Sequence, residues 1–130
     1  MRVRTFKPQF APLVESGVKR QTIRPTPKRI PKVGDHESWR EWTGKPYRSP
    51  QRELARVELT GVESFKLEET PYEILVSLPD RPLKGGLIPI DEWNSFAKAD
   101  GFNSMSDMVF WFESTHGLPF TGILILAKDL

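Results

Sequence analysis

The sequence predicts an α+β fold, a small β-barrel with helices packed around it. Three observations predict it. Strand-like segments dominate, helical patterns fall near the ends of the series, and no internal repeat or heptad recurs. A chain of 130 residues suits one domain, and its 38% hydrophobic and 28% charged residues are ordinary globular usage.

The chain opens on alternation from Met1 to Phe6, which predicts a short strand ended by Lys7-Pro8. A short helix fits Ala11 to Ser16, where Pro12 is tolerable only in the first turn and Gly17 suits a left-handed C-cap. Lys19 to Arg24 reads as extended, and Pro25, Pro27 and Pro31 then keep the chain out of helix. A turn at Pro31 to Asp35 feeds a strand from Glu37 to Trp42, and Thr43-Gly44-Lys45-Pro46 is a second turn. Glu53 to Phe65 carries the clearest strand pattern. Residues 66–90, with four prolines and Gly85-Gly86, predict an irregular surface insertion. Two helices follow, Pro89 to Ala99 and Met105 to Thr115, the second capped by Asn103 or Ser104 and striped by Met105, Met108, Val109 and Phe112. Phe120 to Ala127 closes the chain as a buried strand.

Composition excludes several chemistries. With no cysteine there is no disulfide, no thiolate zinc site and no Cys nucleophile. His36 and His116 lack partners at ligand spacing, so we expect no metal, and the absence of Gly-rich phosphate loops and of a GxSxG elbow leads us to expect no cofactor. The longest apolar run, Ile123 to Ala127, is too short to span a bilayer, and the N-terminus lacks a secretory apolar region, so we expect a cytoplasmic protein.

The net charge of +2 conceals a split. Residues 1–60 hold 14 Lys/Arg against 6 Asp/Glu, whereas residues 61–130 hold 5 against 11. Such asymmetry fits a polyanionic partner for the first half, or a dipolar surface with no partner. Basic residues concentrate in Gly17 to Arg29, where Lys19, Arg20, Arg24, Lys28 and Arg29 accompany the hydroxyls of Thr22 and Thr26. Guanidinium forks match phosphate oxygens, and the nearby Trp39, Trp42 and Tyr47 are planes on which an unpaired base can stack, although both tryptophans serve equally well as core.

The segment Gly17-Val18-Lys19-Arg20-Gln21-Thr22-Ile23-Arg24 resembles the G-x-K-x-x-T-[IL]-R signature of the ASCH domain family, of the PUA-like superfamily. Thr5-Phe6-Lys7-Pro8, Lys32-Val33-Gly34-Asp35, the tail from Phe96 to Phe102 and Leu118 to Gly122 are similar to its other segments, so the likeness spans nearly the whole chain except residues 66–90. The resemblance implies a PUA-like barrel with a cleft lined by the signature, acting on RNA or modified nucleosides. One branch consists of N(4)-acetylcytidine amidohydrolases, whose Lys, Thr and Glu fall here on Lys19, Thr22 and Asp100. Asp100 is one methylene shorter than Glu, a change on the scale of ~1 Å, and misplacement of that order can cost about 100-fold in rate. Other members bind RNA or cleave it, so a single-stranded RNA-binding module and a ribonuclease are the alternatives, with Arg20, Arg24, Lys28, Arg29, Trp39 and Tyr47 as substrate contacts.

For deacylation, Thr22 would attack or position a water, and Lys19 would act as base once its proton is loosened by desolvation or by Arg20 and Arg24. Asp100 would bind the base's amino group or donate a proton, or it simply ends a helix with Gly101. Positions three apart on a regular strand face opposite ways, so Lys19 and Thr22 meet only if Lys19 still lies in the turn after Gly17.

Overall fold

The computed structural model describes residues 1–82 and 84–130. Six strands and three helices follow the order β1 (Arg2–Thr5), α1 (Ala11–Ser16), β2 (Gln21–Pro25), β3 (His36–Trp42), β4 (Gln51–Glu69), β5 (Ile74–Ser77), α2 (Trp93–Ala99), α3 (Met105–His116) and β6 (Phe120–Asp129). The mixed α+β class is as expected. The strands form one sheet in the order β1-β3-β4-β6-β2, with β5 joined to the far end of β4.

The sheet is not closed into a barrel. β1 and β2 are its two edges and share no ladder. A side chain spans between them instead: Arg24 of β2 donates from Nη2 to the Thr5 carbonyl at 2.9 Å. Period-2 patterning reports which face of a strand is buried but not whether the two edges meet, so it could not separate a closed barrel from a curled open sheet.

β4 is the long member at 19 residues. Its first half pairs with β3 and its second with β6, and the register shifts between Leu59 and Gly61 where the ladder changes partner. Such a bulge bends the strand and lets one chain segment serve both halves of the sheet. β4 also runs past Phe65, correcting the expectation of an irregular insertion over 66–90. Lys66–Glu69 pairs antiparallel with Ile74–Ser77. The Thr70-Pro71-Tyr72-Glu73 turn is held by the Thr70 hydroxyl, which accepts from the backbone N–H groups of Tyr72 and Glu73. Pro71 therefore marks a hairpin rather than a structureless excursion. Only the part after Ser77 remains short of strand, and Leu83 within it lies outside the described residues.

α1 ends as its sequence requires, with Gly17 in the left-handed region at φ 89°. Ser104 caps α3, accepting from the Asp107 N–H. The Met105, Met108 and Phe112 side chains of α3 are buried. They join a core in which Phe65 lies parallel to Phe96 at 6.1 Å and against Phe112 and Phe120.

A carboxylate is buried beside Trp39 of this core. Glu37 of β3 has a side chain 1% exposed and takes both Arg4 nitrogens, at 2.8 and 2.7 Å, together with the Trp39 indole N–H at 3.0 Å. Burial pushes its carboxyl up, but the Arg4 and Trp39 bonds and the Arg4 charge outweigh this and hold it below its usual range. A depressed carboxylate contributes stability above its ordinary pKa and loses it as pH falls through the folded value. Arg4→Met, which strands the carboxylate, should therefore cost about 3–5 kcal/mol near neutral pH in urea unfolding. A change below ~1 kcal/mol would mean the pair is solvated.

Candidate functional site

Between the α1–β2 turn, the end of α2 and the inner face of α3 lies a cavity of about 200 Å³. Lys19, Thr22 and Asp100 all line it, so the tertiary fold brings together the three residues singled out from the sequence.

Lys19 reaches it from the turn. Its backbone N–H bonds to the Leu13 carbonyl, and regular strand begins only at Gln21. This irregularity lets Lys19 and Thr22, three positions apart, line one cavity. Thr22 and Arg24 then lie on one face of β2, where Arg24 Nε donates to Thr22 Oγ1 at 3.0 Å. That leaves the hydroxyl proton of Thr22 free to donate elsewhere.

Asp100 is delivered by the end of α2. It occupies the C-cap, and the next two N–H groups turn back in a Schellman arrangement, Gly101 to Lys98 O and Phe102 to Ala97 O. The reading of Asp100-Gly101 as a helix-ending turn is therefore correct, and the same turn carries the carboxylate into the cavity wall. Gly101 is required twice over. Its φ is +100°, and a Cβ there would lie 3.0 Å from Phe10 and 3.2 Å from the Lys19 Cδ.

The Lys19 side chain is 3% exposed and that of Asp100 5%. Lys19 Nζ donates to the Asp100 backbone carbonyl at 2.5 Å and lies 3.6 Å from its Oδ1, an ion-pair distance longer than a hydrogen bond. The Phe10 ring centroid is 5.0 Å from the same nitrogen. Burial lowers the Lys19 pKa, assisted by the charge of Arg24 and opposed by Asp100. Burial likewise raises Asp100 to about 6, against the pull of Lys19, Gln21 and Arg24. Arg24 is lowered to about 10, by burial and by Arg4, and so stays charged at neutral pH.

The other residues expected to hold substrate separate. Arg24 lines the cavity. Arg20 turns outward, bonding Asp129 and the Val14 carbonyl, so it does not help to loosen the Lys19 proton as expected. Lys28 and Arg29 are exposed on the loop after β2, with Arg29 in a separate depression beside Arg2 and Lys32. Trp39 is fully buried, packed 5.0 Å from Phe6 and tied to Glu37, so it offers no face for stacking. The core reading of that tryptophan is the correct one, because a β3 position facing the sheet interior must be filled. Tyr47 is 89% exposed and lines a neighbouring hollow rather than the cavity.

Several site residues were missed from the sequence. Phe6, Phe10, Phe102 and Trp111 wall the cavity, and His116 joins them with its pKa lowered by burial and by Lys7. Gln21 donates to Asp100 Oδ1, the oxygen nearest Lys19, and to the Phe96 carbonyl, both at 3.3 Å, which fixes the carboxylate to the end of α2. None of these carries a local signal: an aromatic on an amphipathic stripe reads as core whether it fills the core or walls a cavity within it. Among the described residues no cluster of His, Asp and Glu could hold a metal ion, and no helix is long and apolar enough to cross a membrane.

Compared with known protein families, curated proteins and solved structures, the chain matches none.

The buried pair has a testable energetic signature. A carboxyl whose folded pKa is raised contributes stability that is intact below its unfolded value of 3.8 and lost as pH climbs through about 6. Lys19→Met removes the one close cation, pushing Asp100 higher still. This variant should be near wild type at pH 4 and lose about 3–5 kcal/mol by pH 8, and Lys19→Met/Asp100→Asn should recover most of that loss. Equal losses at both pH values would show that the carboxylate is not sealed from water.

Proposed function

We propose that the chain is an ASCH-type, PUA-like protein that takes a modified pyrimidine base into this cavity and removes the acetyl group of N(4)-acetylcytidine. The single observation that carries the reading is the sealed Lys19–Asp100 pair beside the Thr22 hydroxyl in a cavity of base size. An apolar cavity of about 150 Å³ accepts a benzene ring. One of about 200 Å³ suits a pyrimidine with a small substituent and leaves the ribose outside.

The chemistry follows from the protonation states. Burial makes Lys19 give up its proton more readily than a surface lysine, which is what a general base near neutral pH needs. Lys19 takes the proton of the attacking oxygen, which adds to the acetyl carbonyl. Lys19 then returns the proton to N4 as the C–N bond breaks, releasing cytidine; acetate leaves at once where water is the attacking oxygen, or after a water activated by Lys19 hydrolyses the acetyl ester where Thr22 is. Asp100 as carboxylate stabilises the transient ammonium, and Arg24, donating to Thr22 Oγ1, stabilises negative charge that develops on that oxygen. The attacking oxygen is the Thr22 hydroxyl or a water bound to it, and one trapped acetyl group on the protein, seen by mass spectrometry, separates the two. The aspartate supports the reading despite its shorter side chain, since the α2 C-cap brings its carboxylate within 3.6 Å of Lys19 Nζ.

Purified protein should deacetylate N(4)-acetylcytidine. Thr22→Val and Lys19→Met should each lower turnover by about 10²–10⁴-fold, the contribution of one positioned acid–base group, while Thr22→Ser retains most of it. Because Asp100 must be ionised, kcat/KM should fall about tenfold per unit as pH drops below about 6. A wild type without turnover, or one whose rate survives both substitutions, would overturn the assignment.

A further inference from the structure

Asp100 is held by more than its ion pair. Its Oδ1 lies 3.6 Å from Lys19 Nζ and also accepts from Gln21 Nε2 at 3.3 Å. The same nitrogen donates to the Phe96 carbonyl at 3.3 Å, in the last turn of α2. A carboxylate and a carbonyl are both acceptors, so the amide can meet them only with its NH2 group, and both of its hydrogens are used.

Gln21 makes these bonds from a buried position outside the cavity. It is the first residue of β2 and is 7% exposed. Neighbouring residues of a strand face opposite ways, and it is Thr22 that lines the cavity. Gln21 lines a different hollow, shared with Phe96, Leu124 and Leu126. It therefore acts on the cavity through Asp100 rather than by touching what the cavity holds. In the ASCH signature its position is one of those left open between the Lys and the Thr.

The other carboxylate oxygen stands differently. Among the described residues Oδ2 accepts no hydrogen bond, and no buried side-chain oxygen there lacks a partner, so Oδ2 keeps an opening. The hollow that Asp100 lines is the cavity.

We propose that Gln21 is a positioning residue for Asp100: its amide pins Oδ1 to the end of α2 and leaves Oδ2 as the acceptor for the substrate's N4–H. The inference rests on the reading of the cavity as a site for an acetylated pyrimidine. A carboxylate tied through one oxygen keeps a fixed aim, and a shorter acid needs that aim more than a longer one.

The bond also bears on ionisation. Burial raises the Asp100 pKa to about 6, and Lys19, Gln21 and Arg24 each pull it down. Lys7 and His116 line the cavity too, but the charge of Lys7 falls on His116. Lys98, in the last turn of α2, is exposed. Losing the Gln21 donors removes a bond made to the ionised form, so the Asp100 pKa must rise.

The test is NMR titration of the Asp100 carboxyl carbon in wild type and in Gln21→Met, which keeps the side-chain length and removes both donors. It is run beside kcat/KM for N(4)-acetylcytidine. The midpoint should rise by about one unit in Gln21→Met. Its kcat/KM should then fall about fivefold at pH 6 and stay within about twofold of wild type at pH 8.5. An unmoved midpoint, with a loss of the same size at every pH, would make Gln21 merely structural and overturn the proposal. Wild type alone supplies a second reading should the variant not fold. Its Gln21 side-chain NH2 resonances should move with the Asp100 midpoint, and resonances that stay flat would sink the proposal. Where wild type turns over no N(4)-acetylcytidine, the acetyl reading fails, and a raised midpoint in Gln21→Met still upholds Gln21 as the residue that sets Asp100.

Discussion

The contact on which the site depends is the Lys19 ammonium against the C-terminus of α2. The last carbonyls of a helix have no partner within it and attract cations. Lys19 meets that need at the Asp100 carbonyl, 2.5 Å away, from a turn 81 residues earlier in the chain. The contact ties the start of β2 to the end of α2 across the aromatic wall. Gly101 suits it, because its φ of +100° disfavours a side chain and a Cβ there would crowd Phe10 and the Lys19 stem. Both charges leave water to form it, so each is pushed toward its neutral form. The pair is a weak way to hold a fold together and a strong way to move a proton.

Charge is distributed with the same economy elsewhere. The basic first half of the chain reads as the footprint of a polyanion, yet much of its charge is consumed internally. Arg4 is spent on Glu37, Arg52 on Glu15 and Glu41, Arg56 on Glu53, and Arg20 reaches across to Asp129 in the acidic half. Among the described residues, Lys7 and Arg24, which line the cavity, form no ion pair. Arg24 has a mechanical role as well, since its bond to Thr5 links the two edges that the backbone leaves apart.

Local patterning by itself determined most of the elements. Gly17 ended α1, Ser104 began α3, the methionine stripe of α3 faced the core, and the final apolar run became β6, because caps and periodicity act over a few residues. The resemblance to the ASCH signature marked Lys19, Thr22 and Asp100, which do line one cavity, and the turn geometry after Gly17 explains how the first two do so. Tertiary structure alone decided the rest. The sheet stays open because edge pairing depends on curvature summed over all strands, which no single strand records. Residues 66–77 became a hairpin because the Thr70-Pro71 turn brings Ile74 to Ser77 back along Lys66 to Glu69, on a strand whose Lys66 and Leu67 also pair with β6. Trp39 went inward and Tyr47 outward, although both are aromatic residues among basic ones, because burial is set by which sheet face a position occupies and by what packs over it. The aromatic wall and the Gln21 bond to Asp100 exist only once distant segments meet, so no pattern along the chain encodes them.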